Sequence, residues 1–122
     1  MSSGSGDLRG RMASALTDAM RARDKVAVTA LRSALSAVAN AEGVPVDTLP
    51  SAGAMESAAL GAGAADAPRR ELTEHDVRAV VVAELAEHDR SAAHLRDAGR
   101  PDDAAQVTAE ADVLRELLAS TW

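Results

Sequence analysis

The amino-acid sequence predicts an all-α fold, a small four-helix bundle built from two helical hairpins. The first observation is composition: of the 57 hydrophobic residues in a chain of 122, 29 are Ala, 12 are Leu and 11 are Val, whereas Ile, Phe, Tyr and Cys do not occur. Ala, Leu, Arg and Glu favour helices, and the aromatic and most β-branched residues that favour sheets are scarce. The second observation is that apolar residues recur with helical spacing in four segments. The length allows one domain of ordinary size.

The first helical hairpin is predicted over residues 7–42, after a flexible Ser/Gly-rich leader at residues 1–6. Asp7 is a good capping residue, and the apolar positions that follow keep helical spacing to about Arg23. Asp24 has the corresponding place before the second helix. Apolar residues of the second helix step by three, four and three: Val28, Leu31, Leu35 and Val38.

Residues 43–71 differ in composition from the segments on either side. They hold three of the four prolines and four of the eight glycines, and they show no sustained periodicity. Such a segment buries too little apolar surface to offset about 1–2 kcal/mol of backbone entropy per ordered residue. We therefore predict a long disordered Ala/Gly/Pro-rich insertion between the second and third helices.

The second hairpin is predicted over residues 72–122. Thr73 and Asp76 have the spacing of a capping box at the start of the third helix. Gly99 is predicted to end that helix in the left-handed conformation, and Pro101 to open the fourth. The predicted buried stripes are Val77, Val81, Leu85, Ala92 and Leu95 in the third helix, and Ala104, Val107, Ala111, Leu114 and Leu118 in the fourth. So many alanines predict a thin core, which self-association could enlarge.

Four polar residues lie within or beside these apolar stripes. Glu84 and His88 fall inside the stripe of the third helix, Arg32 lies at the edge of the second, and Glu110 flanks the fourth. A buried carboxylate is costly unless it is paired. We predict that Arg32 bridges Glu84, Glu110 or both and so fixes how the two hairpins dock.

Two chemical interpretations of these polar residues have less support. The spacing of Glu84 and His88 would allow both to bind one metal ion, but the di-iron bundle pattern of Glu-x-x-His on two helices with two further glutamates is absent. A histidine–carboxylate pair could act in catalysis, but no serine or cysteine nucleophile motif accompanies it. The sequence therefore predicts no catalytic residue, no metal site and no cofactor.

The charge distribution restricts the possible partners. A net charge of -6 argues against a general nucleic-acid binder, because phosphate attraction needs clustered Lys and Arg. Residues 1–42, however, carry six basic and four acidic side chains. Any anionic partner is thus expected to approach the N-terminal half. No stretch approaches the roughly 20 apolar residues that span a bilayer, and the first residues lack the features of a secretory signal, so we expect a cytoplasmic protein without a membrane contact.

Several segments together form a recognisable pattern. The first two are Ala19-Met-Arg-Ala-Arg-Asp-Lys25 and Ala30-Leu-Arg-Ser-Ala-Leu-Ser-Ala-Val-Ala-Asn-Ala-Glu42. The pattern resumes at Glu71-Leu-Thr-Glu-His-Asp-Val77 and extends, without gaps, through Glu84, Ser91, Ala98-Gly-Arg100 and Glu110. These segments, which cover about residues 8–118 with an interruption at 43–70, resemble the family of YqeY-like proteins, the stand-alone relatives of the tail region of GatB.

The resemblance implies an N-terminal helical bundle followed by a smaller helical subdomain. It links the chain to the tRNA-dependent amidotransferase, a carbon-nitrogen ligase that uses glutamine as amido donor, whose tail region is associated with tRNA. The implied partners are tRNA or a tRNA-charging or amidotransferase enzyme, and the implied phosphate contacts are Arg21, Arg23, Lys25 and Arg100. Arg100 could equally satisfy the carbonyl groups at a helix end. Stand-alone members have no established reaction, so assigning amide-ligase activity to this chain would only transfer the activity of the GatB complex. The residues agree with this, because they show no catalytic constellation.

The sequence also departs from the family. Where relatives carry a basic run in the third helix, residues 83–88 are Ala-Glu-Leu-Ala-Glu-His, and after Trp122 the C-terminal subdomain is expected to be missing. Two hypotheses therefore remain open. The chain is either a non-catalytic YqeY-like domain that associates with tRNA or a tRNA-charging enzyme, or a protein-interaction module that has lost RNA binding.

Overall fold

A computed structural model describes residues 7–43 and 71–120, and in these two ranges the chain forms four α-helices and no strand. The helices are α1 (Leu8–Ala22), α2 (Lys25–Ala41), α3 (Glu74–Asp97) and α4 (Pro101–Ala119). The predicted all-α fold is confirmed. The predicted leader, nearly all of the predicted insertion and the last two residues lie outside the described residues.

The helices of the first hairpin begin at the predicted caps. The Asp7 carboxylate accepts a hydrogen bond from the Gly10 amide at 2.6 Å, and the Asp24 carboxylate accepts one from the Ala27 amide at 3.1 Å. Asp24 also closes the end of α1, because its backbone N–H donates to the Ala19 carbonyl at 2.9 Å. One residue therefore ends the first helix and starts the second, which makes the α1–α2 connection only two residues long.

The second hairpin also begins and turns as predicted. Thr73 and Asp76 form a capping box, in which each side chain accepts a hydrogen bond from the backbone N–H of the other residue. Gly99 has φ +77°, and the Arg100 N–H donates to the Leu95 carbonyl at 2.9 Å, which is the Schellman ending of a helix. Pro101 follows as the first residue of α4.

The core is thin, because seven of its sixteen buried apolar side chains are alanine. α3 packs most extensively against α4, α1 packs against α2, and α2 contacts both helices of the second hairpin. The largest fully buried side chains come from all four helices: Leu8, Met12, Leu31, Val81 and Leu114. No helix in the described ranges combines the length and apolar character needed to cross a membrane.

The buried face of α2 is rotated from the predicted stripe. Val28 and Leu35 are only half-buried, whereas the buried positions are Ala27, Ala30, Leu31, Ala34 and Val38. At 3.6 residues per turn, the centre of this face lies about 60° around the helix from the predicted centre. Small alanine side chains let the neighbouring helices approach closely, so they occupy the contact line and the larger residues lie at its edge.

Candidate functional site

A polar cluster lies where α2, α3 and α4 meet. It consists of Ser33 from α2, Glu84 and His88 from α3, and Glu110 from α4, and we call it the interhelical polar cluster. Glu84 and His88 are one helical turn apart, so they point in the same direction from α3. Glu110 is the one buried charged residue among the described residues, with 9% of its surface exposed.

His88 occupies the centre of the cluster. Its Nδ1 atom lies 2.9 Å from the backbone carbonyl oxygen of Glu84 and 3.7 Å from the carboxylate of the same residue. Its Nε2 atom lies 3.4 Å from the Glu110 carboxylate. Because a carbonyl oxygen only accepts hydrogen bonds, Nδ1 is the donor in its contact with the Glu84 carbonyl. The ring is thus oriented by its own helix and directed at α4.

Neutral donors complete the bonding of the two carboxylates. The Ser33 hydroxyl donates to the Glu84 carboxylate, and the side-chain amide of Gln106 donates to Glu110 at 3.0 Å. Each carboxylate therefore has a hydrogen-bond donor as well as the imidazole beside it. This bonding offsets part of the cost of removing the carboxylates from water.

Arg32 does not belong to the interhelical polar cluster, and the prediction that it bridges Glu84 or Glu110 is wrong. Its side chain is exposed and forms no ion pair with either carboxylate. The reason is the rotation of α2: it turns Arg32 away from α3 and brings the next residue, Ser33, towards Glu84. The sequence pattern did not identify Ser33, because a serine hydroxyl is not part of an apolar pattern. If the alanines of α2 had been placed at the centre of its buried face, Ser33 would have been predicted at the edge of that face.

The interhelical polar cluster borders a small cavity. The cavity measures 220 Å³ and is lined by Glu84, Glu87, His88, Ser91, Val107 and Glu110. Within residues 7–43 and 71–120, no group of three or more His, Asp or Glu is arranged to hold a metal ion. The Ser33 hydroxyl donates to Glu84 and not to His88. Ser33 and His88 therefore lack the hydrogen bond that activates the serine of a nucleophilic site. The bonds of the cluster instead join three helices.

A second candidate is the group of basic residues at the α1–α2 turn, Arg21, Arg23 and Lys25, which we call the basic turn. All three side chains are exposed. Among the eleven basic residues in the described ranges, seven have a hydrogen-bond or ion-pair partner: Arg9, Arg11, Arg78, Arg90, Arg96, Arg100 and Arg115. The other four side chains have no such partner among the described residues; they are the three of the basic turn and Arg32.

The backbone holds the basic turn in a tight conformation. Arg23 has φ 58°, in the left-handed region, and its N–H donates to the Met20 carbonyl at 3.2 Å. The nearest acidic group in sequence is Asp24, whose carboxylate caps α2 rather than pairing with a neighbouring cation. The three positive charges are consequently available to an anionic partner.

Arg100, the fourth predicted phosphate contact, lies at the other turn of the bundle. Its guanidinium forms an ion pair with Asp103 in the first turn of α4, while its backbone N–H, not its side chain, bonds to the Leu95 carbonyl. Both partners of the ion pair are more than half exposed, and such surface pairs contribute little to stability. The structure thus separates Arg100 from the basic turn and gives its charge a local partner.

Arg115 is held by acidic side chains of the second hairpin. It donates two hydrogen bonds to Asp89 on α3 and one to Asp112 on its own helix, each at 3.3 Å. These hydrogen bonds, that to Asp89 first, raise the pKa of Arg115 above its ordinary value. The positive charge of Arg115 is therefore directed at acidic neighbours on α3 and α4.

Comparison with protein-family models, with curated proteins and with solved structures found no match for this chain.

Proposed function

We propose that this chain is a non-catalytic YqeY-like helical domain that associates with tRNA through the basic turn. The observation that carries the proposal is the distribution of unpaired cations. Every Lys or Arg side chain without a partner among the described residues lies between positions 21 and 32, on one hairpin, although the chain as a whole is acidic. The resemblance of segments 19–25 and 30–42 to YqeY-like proteins supports tRNA as the anionic partner.

The number of available cations sets the expected strength of binding. Three or four phosphate contacts predict that the logarithm of the association constant falls with the logarithm of salt concentration with a slope of about -2 to -4. Binding based on such contacts alone has a dissociation constant of about 10⁻⁴–10⁻⁶ M at physiological salt. Because phosphate contacts release counterions, binding strengthens as the salt concentration falls, so the interaction is expected to be detectable first at low salt. The net charge of -6 opposes the approach of RNA and lowers the affinity.

Fluorescence anisotropy of labelled tRNA, titrated with the protein at two salt concentrations, tests the proposal. The test variant replaces Arg21, Arg23 and Lys25 with Gln. A matched control replaces Arg90, Arg96 and Arg115 with Gln; it removes the same net charge from side chains that already have partners on the second hairpin. We expect the test variant to lose most of the binding and of its salt dependence, and the control to retain most of both.

Two results would contradict the proposal. Equal losses in the two triple variants would mean that net charge, and not the basic turn, governs binding. No binding by the unsubstituted protein at low salt would mean that the bundle does not engage tRNA, and would favour the protein-interaction module instead.

A further inference from the structure

An apolar groove lies between the C-terminal half of α1, the start of α2 and the end of α4. It has a volume of 530 Å³. Four of its seven apolar lining residues are alanine: Ala15, Ala19, Ala22 and Ala27. The other three are the larger Leu31, Val113 and Leu117. Three carboxylates, those of Asp18, Asp24 and Glu116, and the residue Ser120 complete the lining. The lining is therefore mainly apolar and also includes hydrogen-bond acceptors.

We infer that this groove binds the indole ring of Trp122 of the same chain. Trp122 lies outside the described residues, but its attachment point does not: Ser120, the residue that follows α4, lines the groove itself. Trp122 is two residues further on, and each residue spans at most about 3.6 Å. Its Cα atom is therefore confined to within about 7 Å of the Cα atom of Ser120.

The position of Ser120 is fixed on the side of α4 that faces α1. Its hydroxyl donates to the Leu117 carbonyl at 3.0 Å and accepts a hydrogen bond from the Arg11 guanidinium on α1 at 3.3 Å. Its backbone N–H donates to the Glu116 carbonyl at 3.0 Å. The chain thus leaves α4 beside the groove and not on the far side of the bundle.

The lining also suits the chemistry of an indole. Indole offers a large apolar surface and one N–H, which donates a hydrogen bond and accepts none. The alanine lining leaves room for a flat ring, and Asp18 and Glu116 carry carboxylates that accept no hydrogen bond from a described residue. A phenyl or aliphatic side chain would fill the same space but leave those acceptors unused.

The composition of the chain makes this inference directly measurable. Trp122 is the only Trp, and there is no Tyr or Phe, so the intrinsic ultraviolet fluorescence of the full chain comes from this one ring. We expect the native protein to emit at shorter wavelength than the urea-unfolded protein, and acrylamide to quench the native emission several-fold less. In nuclear magnetic resonance spectra, nuclear Overhauser contacts should join the indole ring to methyl groups of Ala15, Ala19 or Leu117.

A pair of α1 variants separates the groove from the rest of the surface. Ala22→Gln places a longer side chain in the groove at an exposed position, and Ala13→Gln makes the same change at an exposed position of α1 outside the groove. We expect Ala22→Gln to move the emission to longer wavelength and to increase quenching, and Ala13→Gln to change neither. Circular dichroism of both variants verifies that the helices are retained.

Two results would overturn the inference. Native emission and quenching equal to those of the unfolded protein would mean that the ring is in solvent. A shielded ring whose emission moves to longer wavelength on dilution would mean that Trp122 docks on a second copy of the chain. Emission that is blue-shifted, independent of protein concentration and sensitive to Ala22→Gln supports docking within one chain.

Discussion

The Nε2 atom of His88 on α3 lies 3.4 Å from the carboxylate of Glu110 on α4, and the two side chains are only 11% and 12% exposed. The other ring nitrogen is held by the Glu84 carbonyl of the same helix at 2.9 Å. The orientation of the ring is therefore set within α3, while its contact with Glu110 depends on how α4 packs. This pair consequently reports on the docking of the two helices.

Removing both partners of this pair is expected to cost less stability than the two single changes together. Groups that share one polar network show coupling free energies of about 0.5–3 kcal/mol, because each single change leaves the other group buried without its partner. We expect a value in this range for the double-mutant cycle of His88→Ala with Glu110→Gln. Urea unfolding of the four proteins, followed by circular dichroism at neutral pH, measures it.

The cycle of Arg32→Met with Glu84→Gln is its control. Arg32 is exposed and has no ion pair with Glu84, so the two changes are expected to be additive within about 0.3–0.5 kcal/mol. A larger coupling would mean that Arg32 reaches Glu84 in solution, and an additive result for His88 and Glu110 would mean that their proximity has no energetic consequence.

The sequence predicted part of the interhelical polar cluster but not its bonding. Helical periodicity placed Glu84 and His88 on the inner face of α3 and Glu110 beside that of α4, which is where the structure has them. Periodicity could not identify the hydrogen-bond partners of these side chains. Charge complementarity suggested Arg32, whereas the rotation of α2 places Ser33 beside Glu84. In a helix with alanines on several sides, large apolar residues do not define the buried face to better than a fraction of a turn.

The hydrogen bond from Ser33 to Glu84 predicts a specific loss of stability in Ser33→Ala. A hydrogen bond to a charged acceptor contributes about 1.5–3 kcal/mol when buried, and this one is partly exposed, so we expect a loss of about 1 kcal/mol. Ser36→Ala is the matched control, since Ser36 is also half-buried in α2 but has no hydrogen bond with a described residue. Chemical denaturation of both variants gives the comparison.

Both serine variants gain the same helix propensity, so the difference between them isolates the hydrogen bond. Equal stabilities for Ser33→Ala and Ser36→Ala would show that the Ser33 hydroxyl contributes nothing that water does not replace.

The ends of the helices were more predictable than their faces. Caps depend on local chemistry. An Asp or Thr side chain that accepts a hydrogen bond from the amide three residues ahead, or a Gly that adopts a positive φ, can be predicted from a few residues of sequence. Asp7, Asp24, Thr73 and Gly99 all act as the sequence predicted. Long-range contacts have no such local signature. The contact of Glu74 with Leu8, 66 residues apart, illustrates this.

Glu74 is expected to dock the beginning of α1 on α3. Its carboxylate oxygens lie 3.0 and 3.2 Å from the Leu8 backbone nitrogen, whose N–H at the start of α1 has no partner within that helix. A carboxylate at a helix N-terminus is also favoured by the helix dipole. We therefore expect Glu74→Ala to lower the free energy of unfolding by about 1 kcal/mol.

Amide hydrogen exchange provides a local measurement of the same contact. Exchange at Leu8 should accelerate in Glu74→Ala more than exchange in the middle of α3. The control is Glu87→Ala, which removes a carboxylate of α3 that is 67% exposed and whose one ion-pair partner among the described residues is Arg90. Unchanged exchange at Leu8 in Glu74→Ala would contradict the docking role.

The left-handed conformation of Arg23 predicts that a glycine at this position stabilises the protein. An L-residue with φ 58° costs roughly 1–2 kcal/mol, which glycine avoids, although glycine loses up to about 1 kcal/mol through the entropy of the unfolded chain. We expect Arg23→Gly to raise the free energy of unfolding by about 0.5–1 kcal/mol in thermal or urea unfolding.

Arg21→Gly is the matched comparison, because it removes the same charge and introduces the same residue two positions earlier, inside the last turn of α1. There the backbone is right-handed, and glycine in a helix costs about 1 kcal/mol relative to alanine. The two variants should therefore change stability with opposite signs. If both destabilise the protein to the same extent, Arg23 does not hold the left-handed conformation in solution.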